Sequence, residues 1–456
     1  MIIKRKLIHA LLYLLLSAVT IYGAKADISE MNTLFNGEIS FPVKIHVSSP
    51  EFRRLSQFSR ERTDSLNRII KHISMDISID GQISETTLYA DDEALVTVRE
   101  KDNENGKLTV YSLQPDTLYQ SAGNTDTDSF GQFLENEFFL LNRMLDDLYP
   151  VFEKSGQCFP DHTKTSSSGM NYKEFGKAVK KVILQFPADY VKENFPGKFS
   201  ELCDNDKCRQ FIEQFQFKGT QKIVMLYDQN GQMICVSYSG ILGTSEESFR
   251  KVSLSWKCLR ETDRKKDSVT LKTPSIKGYD KYNMTYIRNL DISDPDNQKI
   301  FWDYQLDMKY GNEKKKLMFS SDMYYRIGKL TGTIQFTEKQ NGQDQNITVI
   351  PEIEQEKSRE YSGTIELTFK KGKIEISSVR FLLRLSPSEA LSAPDSGKGK
   401  PVHTDTEPGK LSEEELQMMI DRTIIRALLA LPEEDTVFFR QDIPGDIWKS
   451  IIQSMY

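Results

Sequence analysis

Val252-Ser253-Leu254-Ser255-Trp256-Lys257-Cys258 alternates apolar and polar side chains without a break. Successive side chains of an extended chain point to opposite faces, so this stretch reads as a strand with one greasy and one wet face. Ile39, Phe41, Val43, Ile45 and Val47 repeat the pattern against Ser40, Pro42, Lys44 and His46, and so do Ile73, Met75, Ile77 and Ile79. One-sided burial is the habit of antiparallel sheets. Pro42 lacks an N–H for the ladder, which places the first strand at a sheet edge.

Turn chemistry agrees with the alternation. Asp80-Gly81, Asn105-Gly106, Asn230-Gly231, Asn341-Gly342 and Lys371-Gly372 each separate two strand-like runs. Asn-Gly and Asp-Gly pairs accept the positive φ of tight hairpins. The expected fold is therefore mainly β within an α+β class. It is a long antiparallel meander forming one or more curved sheets, with a few helices on the apolar face.

Helical signals are sparse. Glu51–Ile73 carries Phe52, Leu55, Phe58, Leu66, Ile69 and Ile70 at helical spacing; Phe130–Leu148 and Cys208–Phe217 are further candidates. The clearest is Ser412–Leu431. There Ser412 and Glu415 form a capping box, Leu416, Met419, Ile420, Ile424, Ala427 and Leu428 share a face, and Pro432 stops the helix.

Residues 1–26 have the three-part layout of an export signal, with Lys4-Arg5-Lys6, an apolar run from Leu7 to Gly23, and small residues before cleavage after Ala26. A retained anchor is the alternative. The division expected for the rest is a β-rich body over 27–385, read as two similar units near 27–275 and 276–385. A Pro/Gly-punctuated linker over 386–410 and a helical segment over 411–456 docking on the sheet complete it. The whole chain has a formal charge of −6; residues 1–26 hold four cations and no acid, so the remainder carries −10. That balance disfavours nucleic acid and anionic membranes as main partners. No second apolar stretch approaches spanning length. The location implied is secreted or extracytoplasmic.

No catalytic constellation emerges. His46, His72, His162 and His403 fall on a polar strand face, a helix end and loops, without metal-ligand spacing. Ser237 and Ser239 lack the glycine two residues before them that a nucleophile elbow needs, and Ser248-Phe249-Arg250-Lys251 leads into a strand where Ser-x-x-Lys chemistry needs a helix. Asp291, Asp294 and Asp296 lack the glycine and distal glutamate of a calcium loop. No cofactor and no metal are expected. The five cysteines lie between Cys158 and Cys258, in a chain whose compartment permits pairing. Folding the chain about Glu246 and Glu247 sets Cys235 opposite Cys258, as a disulfide or a cross-strand pair.

Four stretches resemble uncharacterised exported proteins of Gram-positive bacteria: Leu66–Ser74, Phe217-Lys218-Gly219, Ser248–Leu254 and Asp267–Pro274. The resemblance covers parts of residues 66–275 and implies no established activity. At the level of architecture alone, a curved sheet capped by helices is similar to half-barrel carriers of lipoproteins and lipids. The function expected is an exported, noncatalytic envelope binding protein whose partner is an apolar small molecule, a lipid or an envelope protein. A structural or protein-interaction module is the alternative reading, and a hydrolytic enzyme the third.

Overall fold

The computed structural model describes residues 42–122, 139–191 and 216–401, with interruptions at 57, 81–82, 92, 104–105, 115–116, 159, 244–248, 274–280, 295–296, 341, 358–359 and 393–399, together with 423, 426–427 and 429–432. The predicted signal segment, His403, Cys203, Cys208 and the Leu416–Ile424 stripe lie outside these residues.

An N-terminal arm is built from β1 (Val43–Leu55), helix α1 (Arg60–Ile70), β2 (Ile73–Asp80), β3 (Ile83–Ala90), β4 (Glu93–Asn103), β5 (Gly106–Gln114) and β6 (Thr117–Ala122). Helix α2 (Phe139–Cys158), edge strand β7 (Thr163–Ser167) and the small hairpin β8 (Asn171–Tyr172) and β9 (Gly176–Lys177) follow. The meander comes next, as β10 (Lys180–Pro187), β11 (Gln216–Tyr227), β12 (Met233–Gly243), β13 (Arg250–Arg260), β14 (Arg264–Thr273), β15 (Lys281–Asp291), β16 (Asn297–Tyr310), β17 (Glu313–Arg326), β18 (Lys329–Gln340), β19 (Gln343–Lys357), β20 (Glu360–Lys371) and β21 (Ile374–Pro387). Strand β22 (Lys400–Pro401) closes the series, beside β6 and parallel to it. All but β8 and β9 join one 20-stranded sheet, which is mainly β as expected and is not closed into a barrel.

From β10 to β21 each strand pairs with its sequence neighbour, so this part is a chain of hairpins. The step from β14 to β15 is one unbroken ladder, Thr273 facing Tyr282, so the sheet has no seam at the expected boundary near residue 275. The seam lies elsewhere. Strand β1 pairs with β2 on one side and with β21 on the other. The first strand is therefore interior, not at an edge. Pro42 stands just outside the ladder, and its missing donor costs nothing; its carbonyl accepts from Ser388 N.

The expected helix from Glu51 is also corrected. Residues Glu51–Leu55 continue β1, and α1 begins at Arg60 behind Ser59, whose hydroxyl caps Arg62 N. Two irregularities, at Ser48/Glu51 and Phe52/Arg54, break the alternation there. The Asn67 side chain from α1 accepts from Phe52 N and donates to Phe52 O, at 2.7 and 2.8 Å, meeting backbone groups at that irregularity.

The inner face of the sheet carries the core, including Trp256, Tyr286, Tyr304, Phe319, Leu306 and Ile45, all nearly or fully buried. Leu145, Leu148, Tyr149 and Phe152 of α2 pack on it. A second, small cluster unites Ile69, Ala90 and Leu95 with Ala427, Ala430 and Leu431, so the described end of the C-terminal helical segment docks on the N-terminal arm. Arg426 fixes it by donating to Leu95 O and pairing with Glu93.

Two glycines on inward positions set close strand approach. A Cβ at Gly332 would stand 2.2 Å from Asp322 O, and one at Gly363 would stand 2.0 Å from Glu352 O. Backbone, unlike a flexible side chain, cannot step aside. We expect Gly363→Ala to lower stability by about 1–3 kcal/mol, measured as a shift in the urea unfolding midpoint of the full chain.

Candidate functional site

Charged residues occupy inward positions at one end of the core. Three adjacent strands carry charge on their inner rows: Trp256 and Cys258 lead to Arg260, Val269 leads to Asp267 and Lys265, and Arg288 stands between Tyr286 and the buried Leu290. Helix α2 lowers Asn142 and Asp146, one turn apart, onto that end.

The contacts form a closed network. Arg288 donates to Asp267 Oδ2 at 2.8 Å through Nε and to Asp146 Oδ1 at 2.8 Å through Nη2. Arg260 Nη2 and Trp256 Nε1 both donate to Asp267 Oδ1, at 2.6 and 2.8 Å. Lys265 Nζ sits 2.6 Å from Asp146 Oδ1. Tyr286 donates its hydroxyl to Asn142 Oδ1, which also accepts from Arg288. Asp267 has no exposed side-chain surface and Arg288 only 1%. The Arg260 guanidinium lies over the Tyr149 ring, 5.0 Å from its centre.

Electrostatics follow from three cations against two carboxylates. Burial opposes ionising Asp267, yet Arg260 and Arg288 outweigh it and hold its pKa well below the usual carboxylate range. Asp146 is lowered likewise, chiefly by Arg288 against the cost of burial. Lys265 is the surplus cation. Burial and the adjacent Arg288 bring its pKa down to about 8, although Asp146 opposes them. Every carboxylate here is saturated by donors. The chemistry this supports is clamping a helix to a sheet.

A second feature lies on the outer face, where the two arms meet. Ser386, Lys44, Ser78, Glu85 and Arg99 are successive partners across β21, β1, β2, β3 and β4. Residues Pro387–Ser392 turn back over this row, tied by Leu391 N to Asp80 Oδ2 at 2.9 Å. With that row they form a cavity of about 470 Å³, open to solvent on one side and lined by Lys44, Ser78, Ile83, Glu85, Arg99 and the returning segment. Part of the expected 386–410 linker is thus a wall. The lining differs from the apolar groove expected, because it is built on the wet face of the strands.

The remaining sequence candidates separate. Cys235 faces Lys257, and Cys258 faces Asp267. The proposed pair is overturned: the register runs one residue off, which turns the two thiols to opposite faces. Both are free and buried, Cys258 in the main core and Cys235 with Ala178, Leu226 and Ile234 beneath the β8–β9 hairpin. His46 binds Asp76 and His72 binds Asp91, each at 2.7 Å, while His162 packs on Tyr190. Asp291 pairs with Arg264 and accepts from Ser293, an ordinary turn. Among the described residues, no group of three potential metal ligands occurs.

No known family matches the sequence, and no curated protein does. Among solved structures, the outer-membrane protein OmpT of Vibrio cholerae matches with a TM-score of 0.24 and 6% identity, over 76% of this chain and 95% of that one. OpdO of Pseudomonas aeruginosa gives 0.24 and 7%, over 76% and 95%. The monoaromatic hydrocarbon channel CymD gives 0.19 and 8%, over 79% and 91%. Superpositions this loose carry no argument about shape or function, and none bears on the resemblance to Gram-positive exported proteins.

Two outcomes test the clamp. Asp267→Ala leaves two arginines without their shared partner and should cost about 3–5 kcal/mol in urea unfolding. For Lys265, a folded-state value of about 8 against an ordinary 10.5 means the unfolded chain binds more protons between those values. Stability therefore rises with pH across that window. The thermal midpoint of the wild type should climb relative to Lys265→Met from pH 8 to 10; a constant difference would remove Lys265 from this role.

Proposed function

We propose that the chain is an exported, noncatalytic binding protein of the cell envelope, and that its ligand is polar. The observation that carries the reading is the cavity over the Lys44–Ser78–Glu85–Arg99 row, whose volume lies within the range of about 300–1,000 Å³ typical of small-molecule sites. Lys44 already holds Asp76 at 2.8 Å, and Arg99 already holds Glu85. With both cations held, Glu389 is the further charge in the lining, so the site suits a neutral polar or zwitterionic molecule better than an anion. The export layout of residues 1–26 supports the envelope location. The noncatalytic reading draws support from the saturated core network, whose carboxylates are committed to arginine and lysine.

The experiment is native mass spectrometry of the full-length protein purified from its own envelope. A retained small polar molecule is expected on the wild type. Ser78→Trp, which fills the cavity from a half-buried position, should abolish retention while the thermal midpoint moves little. Retention unchanged by Ser78→Trp, or a retained acyl chain in place of a polar molecule, would refute the site.

A further inference from the structure

We propose that the outer face of β7 and β10–β14, beyond the end covered by the β8–β9 hairpin, is an electrostatic docking surface for an anionic lipid bilayer. Directly opposed residues share a face, so the register gives this surface residue by residue. Gln185, Lys222, Ser239, Ser253 and Lys272 form one continuous row across five strands. Lys218, Ile241 and Lys251 form a second beside it, and Lys164 stands opposite Ile183 at the edge. All five of these lysines are exposed.

Carboxylates are missing from the same face. The sequences of β7 and β10–β13 contain no acid, and the acid of β14 is Asp267, which points inward and is consumed by Arg260 and Arg288. Two outward acids border this face: Glu174 of the β8–β9 turn is held by Lys266 at 2.6 Å, and Asp307 of β16, two strands beyond Lys272 in the same row, lies 3.8 Å from Lys316. Between the lysines lie hydroxyls, Ser237, Ser255 and Thr270 among them, which can also donate to phosphate.

The net charge of −6 argues against an anionic surface only if charge were spread evenly. It is not. Exposed Glu352, Glu354 and Glu356 belong to β19, five strands beyond β14. At about 4.8 Å per strand that separation is roughly 24 Å, about three Debye lengths in physiological salt. The lysine face therefore acts on its surroundings as a cation. Its charges spread in two dimensions over four of the six strands, which matches a plane of headgroups better than a single polyanionic thread. Lysine, a hydrated point charge on a flexible stem, suits such diffuse attraction.

Vesicle co-sedimentation of the full chain tests this. With vesicles of equal parts phosphatidylglycerol and phosphatidylcholine, binding should exceed that to phosphatidylcholine alone by ten-fold or more, and about 0.5 M salt should abolish it, because the Debye length then shrinks to a few ångströms. The triple variant Lys222→Glu, Lys251→Glu, Lys272→Glu should fall to the phosphatidylcholine level with its circular dichroism unchanged. Lys316→Glu with Lys339→Glu, on β17 and β18, should bind as wild type does. Ser78→Trp should also bind vesicles normally, so this surface and the cavity stand or fall separately. Equal binding to both vesicle types, or undiminished binding by the triple variant, would overturn the proposal. So would binding to soluble polyphosphate without binding to vesicles, which would make the partner a free polyanion.

Discussion

Strand β1 carries two ladders, and the rest of the sheet depends on it. Its residues 43–55 pair with 377–387 of β21 on one side and with 75–79 of β2 on the other. Apart from β10–β11, whose connection runs over residues 188–215, every other junction of the meander can form by closing a short hairpin, at a small cost in loop entropy. The β1–β21 junction instead closes a loop of more than three hundred residues. It is the step that turns two arms into one sheet and lays segment 387–392 over the Lys44–Arg99 row. Contacts of such sequence separation form late and slowly. The cavity therefore exists only in the completed fold, since its floor comes from both arms.

Much of this sheet was legible in the sequence, and the failures have physical reasons. The alternation at Val252–Cys258 and the Asn-Gly and Asp-Gly turns reported hairpins, because period and turn chemistry are local properties. Bulges defeat that reading. Irregularities around Ser48–Arg54 insert extra residues into β1, which erased period two and made Glu51–Leu55 look helical. The Cys235–Cys258 pairing failed on loop parity. Leu242 faces Arg250, so the connection is centred on Glu246, where the sequence offered equal grounds for a centre between Glu246 and Glu247. One residue of difference sends every side chain of a strand to the other face.

The buried network was invisible for another reason. Asp146 and Arg288 are separated by 142 residues, and no local rule brings them together. A signal was nevertheless present. Arg260, Lys265, Asp267 and Arg288 all stand on the apolar phase of their own alternations, where a charge is costly unless paired. Reading the phase of each strand, and asking which charges violate it, would have predicted an ionic core at this end of β13–β15. The same reading explains why the network specifies position: an apolar face of α2 could slide along the sheet, whereas Asp146 finds Arg288, Lys265 and Arg260 at one register alone.

Charge in this protein is consequently sorted by face and not by chain. Inward charges are all partnered, three cations sharing two carboxylates, because an unpaired ion in a low-dielectric core costs several kcal/mol. Outward charges are under no such constraint, since water solvates them singly. Selection on the outer face is thus free to gather lysines at β7–β14 and glutamates at β19 without disturbing the core behind either. The formal charge averages over both, and so it describes the solubility of the chain while concealing the field that any one face presents to a partner.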